Sequence, residues 1–421
     1  MALLGLARPV FTAPGFAVFT DLLAGWVLTP GRRTITRMLA TADPAGGRAH
    51  DAYHRFVRAG CWQMPALWRV LAVSVVERLA PDGVVVLDLD DTVYKKTGRS
   101  INGAGVFRDA VRSTRSRVVL AWGLNLVVVT LRVAPPWGGC PLGLPINARV
   151  HRKGGPTTVE LAEQMIAEIA GWLPERRFHL HADGAYARLV GADLPRTAVT
   201  SRLRRDAALY EPAPPRTGKR GRPRTKGDRL PAPPDLAAAA TNWVDAQIDV
   251  RGTTKTRRLW HRDVLWYHVS PRRLVRLVIV RDPTGVQPDD FFLTSAPDAH
   301  SPAVASGYAG RWSIEVTNRD AKQALGGEDP QSWKHDGPAR AAALSLWLHT
   351  TTWCWYITTH HDQPTWRIRP WYRRKHAPSF ADALAALRRT LWHNRITTMS
   401  HDTALPPRIT DALLDTLAEA A

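Results

Sequence analysis

The sequence predicts an α/β protein: a mixed sheet with covering helices, interrupted by a mainly β insertion and flanked by helical regions at both ends. Three observations predict it. Residues 1–80 carry apolar side chains at helical spacing, as in FAVFTDLLAGWVL and PALWRVLAVSVVERL. From Val84 the pattern changes to runs of β-branched and aliphatic residues bounded by turn residues. After a Pro- and Arg-rich stretch, a second set of strand-like runs precedes a helical pattern that opens at Ser301. A chain of 421 residues, 45% of them hydrophobic, is long enough for a sizeable core and more than one domain.

Charge narrows the partner. Lys and Arg number 57 against 37 Asp and Glu, a formal charge of +20, which points to a polyanion. Nucleic acid is the simplest, and an anionic membrane is the competitor. The most membrane-like run, AAALSLWLHTTTWCWYITT from Ala341, contains His349 and several Thr and Ser, so it reads as a buried helix and no membrane partner is expected. The start, MALLGLARPVFTAPG, lacks the basic opening and long apolar core of a signal peptide. Cys61, Cys140 and Cys354 lie far apart without CxxC spacing, which argues against a disulfide framework or a cysteine zinc site. A cytoplasmic, DNA-associated protein is expected.

The N-terminal region offers Arg32, Arg33, Arg37, Arg55 and Arg58 to phosphates, either as a DNA-end-binding domain or as a structural cap on the next domain. Residues 84–87 read as a buried strand that delivers Asp88, Asp90, Asp91 and Thr92 at its end. On a strand, Asp88 and Asp90 share one face and Asp91 points to the other. After a loop with Lys95, Lys96 and Gly98, the run RSRVVLAWGLNLVVVTLRVA predicts two strands in a hairpin turning at residues 123–125. Thr157 and Glu160 form a capping box that opens a helix with the apolar face Leu161, Met165, Ile169 and Trp172. The strand RFHLHAD then runs into Asp183. Three strands, a helix and a fourth strand ending in an acid is the order expected of an RNase H-like fold. His179 and His181 share one strand face and read as packing residues, since no Cys or third His lies near in sequence for zinc.

A further strand, TAVTSRL, leads into EPAPPRTGKRGRPRTKGDRLPAPP, whose composition predicts a loop or linker. Residues 202–229 hold ten Lys or Arg against three acids. The KRGRPR core, with Arg220, Arg222 and Arg224, resembles an AT-hook that enters a narrow minor groove. A solvated basic linker contacting phosphates nonspecifically is the stronger reading. WVDAQIDVRG, RRLWHRDVLWYHVS, RRLVRLVIVRD and DDFFLTS then predict a small β insertion, which accounts for a spacing of 132 residues from Asp183 to Glu315 against 93 from Asp90 to Asp183.

Residues 301–327 predict one helix, with Ser301 as N-cap, Pro302 in the first turn, Gly326 closing the end and a kink near Gly307 and Gly310. At about 100° per residue, Tyr308, Arg311, Glu315 and Lys322 fall within an arc of roughly 60°, with Arg319 on the same face. A carboxylate among three cations and a phenol suits a place where a metal ion meets a phosphate backbone. An amphipathic surface helix with an Arg311–Glu315 pair fits the same residues. Farther on, WRIRPWYRRKH interleaves cations with aromatics, as a nucleic-acid strand would require or as a turn anchored by its tryptophans. The tail ITDALLDTLAEA is amphipathic along Ile409, Leu413 and Leu417, to dock in cis or on a second protomer.

The spacing of Tyr308, Arg311, Glu315 and Lys322 resembles the YREK signature of bacterial insertion-sequence transposases of the DDE class. Asp90 followed by Thr92 is similar to that family's first acidic motif, and Asp183-Gly184 to its second. The resemblance implies an RNase H-like catalytic domain with Asp90, Asp183 and Glu315 as catalytic and metal-binding acids and Asp88 as reserve for the first. It implies two Mg2+ ions, with Mn2+ as a substitute, and a homodimer that pairs the terminal inverted repeats and joins them to target DNA. Tyr308, Arg311, Lys322 and Arg319, with Lys96, Arg220, Arg222 and Arg224, would contact DNA. The implied reaction is metal-dependent cleavage at insertion-sequence ends followed by strand transfer.

Two rivals use the same residues. VVVLDLDDTVY also fits the nucleophile loop of haloacid-dehalogenase-type magnesium phosphohydrolases, with Asp88 as nucleophile and Asp90 as acid and base, although HADGAYARLV lacks the second acid that family needs. A catalytically inactive DNA-binding relative is the other. The organisation expected is a helical domain at 1–80, a catalytic core first part at 81–205, basic linker and β insertion at 206–297, the second part of the core at 298–345, and a helical basic region at 346–421.

Overall fold

A computed structural model describes residues 2–109, 112–114, 116–215, 223–399 and 406–420. The short α1 (Ala2–Gly5) precedes α2 (Ala13–Leu28), α3 (Ile35–Ala42), α4 (His50–Ala59) and α5 (Met64–Leu79). Thr12 and Thr34 cap α2 and α3 by accepting the amides of Gly15 and Arg37. The helices share one apolar core with the sheet: the Phe19 ring meets Trp347 edge-on at 5.4 Å, and Trp26 donates its indole N–H to the Leu325 carbonyl at 2.7 Å. Arg33, expected on the surface for phosphates, is instead buried, because its loop tucks under residues 326–329.

The strands are β1 (Val85–Lys95), β2 (Gly105–Arg108), β3 (Leu120–Val133), β4 (Leu142–His151), β5 (Phe178–Ala182), β6 (Thr197–Arg202), β7 (Val244–Val250), β8 (Thr253–Val264), β9 (Val275–Arg281) and β10 (Asp290–Thr294). They form one ten-stranded sheet in the order β2-β3-β1-β5-β6-β10-β9-β8-β7, with β4 also on β3. The part β4-β3-β1-β5-β6, with antiparallel β1, β3 and β4 and parallel β1, β5 and β6, is the RNase H-like core.

Three details differ from expectation. No hairpin turns at residues 123–125: β3 runs straight through, and Gly123 serves a close approach, since a Cβ there would strike the Tyr94 carbonyl. The third core strand is β4, whose Pro and Gly residues weakened its strand signal. The acids of the first motif lie inside the eleven residues of β1 rather than after it. The β insertion is present as predicted, and it continues the same sheet, β10 pairing antiparallel with β6.

The helix α6 (Thr158–Trp172) has both bonds of the predicted capping box and buries Leu161, Met165 and Ile169. A short α7 (Pro233–Ala239) precedes β7. The helix predicted at residues 301–327 is two: α8 (Ser301–Gly310) and α9 (Trp312–Gln323), broken at Arg311. His300 occupies the N-cap, and Ser301 turns its hydroxyl to the His261 ring at 3.1 Å. α9 ends before Gly326, which takes φ +56 while Gly327 donates to the Ala321 carbonyl at 2.9 Å.

The run from Ala341 lies in α10 (Gly337–His360), most of which is buried in the core. No single described helix is long and apolar enough to cross a membrane, although α4 and α5, bent by 83°, meet that length and composition together. α11 (Phe380–Met399) and α12 (Pro407–Glu419) complete the chain. α12 docks in cis through Leu414 and Ala418, leaving Ile409 and Leu413 exposed, while Asp411 and Asp415 pair with Arg389 on α11.

Candidate active site

β1 and β5 run parallel with Leu89 beside Ala182, so the next residue of each, Asp90 and Asp183, come together where β5 ends. Asp183 there precedes a 3-10 turn, Gly184–Gly191. The third acid comes from the helix pair. α8 lays Val304 and Ala305 on the insertion strands among Ile248, Leu259, Val278 and Phe292, while α9 presses Ile314 and Thr317 on the core, Thr317 donating to the Gly143 carbonyl at 2.6 Å. The break between them falls over the acids. Arg311 donates from Nη1 to Asp90 at 3.2 Å and from Nη2 to Glu315 at 2.7 Å, so one guanidinium joins two carboxylates brought by β1 and α9.

The electrostatics reflect burial first and neighbouring charge second. Burial pushes Asp90 up to about 6; Arg311 opposes this, and the charges of Asp91 and Asp183 add to it. Burial works against the Arg311 charge, but Tyr308, Asp90, Glu315 and Asp183 together hold the guanidinium above its usual range. Tyr308 is pushed up to about 12, by burial first, and packs on Phe292 at 4.5 Å, so it stays a neutral hydroxyl. Lys322, about two α9 turns beyond Glu315, donates to Thr92 of β1 at 2.6 Å, and burial lowers its pKa.

Asp88 has another task. It is fully buried, accepts Arg132 Nε at 2.9 Å and the Ser313 hydroxyl at 3.1 Å, and also pairs with Arg132 Nη2. Arg132 in turn donates to the Gly307 carbonyl at 2.6 Å. A Cβ on Gly310 would lie 2.5 Å from Arg132 Nη1, and one on Gly307 2.6 Å from His181 Nε2. Asp88 and Arg132 thus fix the α8–α9 break, and a group so enclosed cannot meet a substrate as an aspartyl-phosphate nucleophile must. Sequence reasoning missed Arg132 and Ser313; no local motif marks them. The two glycines were the available signal, read as a kink but not as a passage over buried side chains. On the opposite strand face, Asp91 accepts the Tyr186 hydroxyl at 3.1 Å, as the alternation requires. His179 and His181 stack at 4.6 Å as packing residues.

Other expected contacts lie elsewhere. Arg319 is turned from the acids, exposed and paired with Asp320 at 3.1 Å. Lys96 is spent inside the chain on the Glu328 and Pro330 carbonyls at 2.6 and 3.2 Å, and burial lowers it to about 8. Arg224 is exposed and paired with Asp228 at 2.9 Å. Arg220 and Arg222 lie outside the described residues. In the aromatic-basic run, Arg367, Arg369 and Lys375 pair with Asp415, Glu419 and Asp382, Trp366 is half-buried, and Trp371 stands 81% exposed.

Among the described residues no group of three or more His, Cys, Asp or Glu is close enough to hold a metal ion as it stands. The donor set still fits one. Its atoms are carboxylate oxygens, suited to hard divalent ions, and Asp90, raised first by burial and further by Asp91 and Asp183, is a buried carboxylate whose charge a bound cation would stabilise. The Arg311 guanidinium occupies the space between Asp90 and Glu315 and would have to turn aside.

A family model described as DDE superfamily endonuclease matches residues 10–268, which take in Asp90 and Asp183 and stop short of Glu315. A search of curated proteins finds no match.

Proposed function

Because the chain belongs to the DDE superfamily endonuclease family, and so to nucleic-acid-cleaving enzymes acting on DNA, we propose that it is a transposase of the YREK group that cuts insertion-sequence ends and joins them to target DNA. The observation that carries this reading is the meeting of Asp90 and Glu315 on Arg311, beside the strand end that bears Asp183. Asp90, Asp183 and Glu315 would hold divalent ions, Mg2+ or in its place Mn2+. Such ions lower the pKa of an attacking hydroxyl and stabilise the leaving oxygen of an in-line phosphoryl transfer.

The chain's own residues do the rest. Arg311, already charged and buried, shifts from the carboxylates to the scissile phosphate, where it offers paired donors. Tyr308, neutral at any working pH, donates one hydrogen bond to a phosphate oxygen. Lys322 places its charge on the neighbouring phosphate from its hold on Thr92. Water attacks first and the DNA P–O3′ bond breaks, leaving a 3′-hydroxyl and a 5′-phosphate. That 3′-oxygen then attacks a target phosphodiester and displaces a target 3′-oxygen, so each step breaks one P–O bond and makes one. Two protomers pairing two ends in the cytoplasm complete the proposal.

The test is a plasmid carrying the gene's native flanking DNA, incubated with protein and Mg2+ beside Asp90→Asn and Glu315→Gln variants. Metal-dependent cuts at flanking inverted repeats, lost in both variants, are expected. Binding without cutting by the wild type would make a non-catalytic DNA-binding protein the better description.

A further inference from the structure

Beside the C-terminal end of α9 lies a second site, which shares only Lys322 with the active site. A cavity of about 570 Å³ opens between the α2–α3 loop, the segment after α9, and α11, and is lined by Arg32, Arg33, Lys322, Gln323, Asp329 and Arg388. Four of these are cations and one is an acid. Arg33 and Arg388 are each only 5% exposed. Arg388 satisfies Nε on the Val27 carbonyl at 2.8 Å, but its Nη2 has no partner, and neither has Arg33 Nε. Asp329 accepts the Arg33 backbone amide at 2.9 Å and stands 4.0 Å from the exposed Arg32, so it does not satisfy these buried guanidinium atoms.

Burying guanidinium donors without acceptors costs stability, and an anion held against the two guanidinium groups would offset that cost. Burial and the neighbouring Arg33 charge lower Arg388 to about 10, and the charge of Glu419 only partly opposes them. The cavity is roomy enough for a tetrahedral oxyanion, and Lys322 borders it from the row that carries Glu315.

We propose that Arg33, Arg388 and Lys322 form a binding site for a tetrahedral oxyanion, filled in the working protein by a backbone phosphodiester of the DNA that leaves the active site. The assignment of DNA as occupant rests on the function proposed above; the oxyanion site does not. Because Arg33 comes from the N-terminal helices and Arg388 from the C-terminal ones, a phosphate held here would clamp both flanks of the chain to the catalytic helix.

The experiment uses full-length protein in chelator, so that cleavage plays no part. Inorganic phosphate, at ionic strength held constant with chloride, is the probe. It should raise the melting temperature of the wild type, leave Arg388→Met unmoved, and act more strongly on Asp329→Asn, in which the competing carboxylate is gone. In salt titrations of duplex binding, Arg388→Met should bind about tenfold or more weakly, with a log–log salt slope shallower by roughly 0.9. Equal phosphate effects in wild type and both variants would overturn the site. A phosphate effect confined to the wild type and Asp329→Asn, with the DNA salt slope unchanged in Arg388→Met, would overturn DNA as the occupant. If Arg388→Met does not fold, Asp329→Asn alone decides, since only an anion site predicts a stronger response from it.

Discussion

Asp88→Asn and Asp90→Asn, two residues apart on one face of β1, should move stability in opposite directions. Asp88 has no exposed surface and Arg132 has 11% of its side chain exposed, so removing the carboxylate charge leaves a guanidinium buried without its counter-ion. Breaking a buried pair on one side costs about 3–5 kcal/mol, and Asn, which can still accept one hydrogen bond, belongs near the lower figure. Asp90 is the reverse case. Its folded pKa of about 6 stands above the ordinary 3.8, so the folded chain holds the proton longer than the unfolded one. The stability from this residue is present in full below the unfolded value and is lost as pH rises through about 6. At about 1.4 kcal/mol per pH unit the loss approaches roughly 3 kcal/mol at neutral pH, and Asp90→Asn recovers up to that amount. Thermal melts in metal-free buffer at neutral pH and near pH 4 give the assay, since most of the Asp90→Asn gain should vanish at the lower pH. Wild-type stability in Asp88→Asn, or a loss in Asp90→Asn at neutral pH, would refute the division of labour between the two acids.

The same geometry predicts further outcomes. Millimolar Mg2+ should raise the melting temperature of the wild type and leave Asp90→Asn nearly unmoved, because a cation relieves the crowding only where the charge exists. Gly310→Ala gains about 1 kcal/mol of helix propensity but forces a Cβ to 2.5 Å from Arg132 Nη1, an overpacking cost of about 1–3 kcal/mol. Cleavage should fall further than its melting temperature suggests, and unchanged cleavage would show that the break does not aim Arg311 and Glu315. Lys322→Glu should abolish end binding or cleavage while the melt stays cooperative; normal cutting by it would remove Lys322 from the phosphate-binding row. His349, 1% exposed with both ring nitrogens unpartnered, held near 3 by burial and stacked on Phe380 at 4.4 Å, wastes its polarity. His349→Phe should stabilise the chain by about 1 kcal/mol or more, read by thermal melting.

By itself the sequence determined the local elements and the chemistry they carry. Side-chain alternation on β1 separated Asp88 and Asp90 from Asp91, Thr157 and Glu160 marked the start of α6, and four strand-like runs announced the insertion strands. Helical spacing was enough to put Glu315 and Lys322 on one side of α9, whereas the places of Tyr308 and Arg311 depend on the break between α8 and α9. Short-range rules could not reach what depends on distant parts of the chain. Gly123 reads as a turn until Tyr94 is known to pass against it, and β4, with Pro and Gly in its run, shows no clear strand pattern until β3 is there to pair with. Asp88 and Asp90 are chemically identical in the sequence. Only tertiary structure decided that one meets Arg132 of β3 under the helix break while the other meets Arg311 and faces the acids of β5 and α9. Lys96 was lost from the expected DNA surface for the same reason: a cation's role depends on which acceptors the fold brings to it, and those lie on segments far away in the chain.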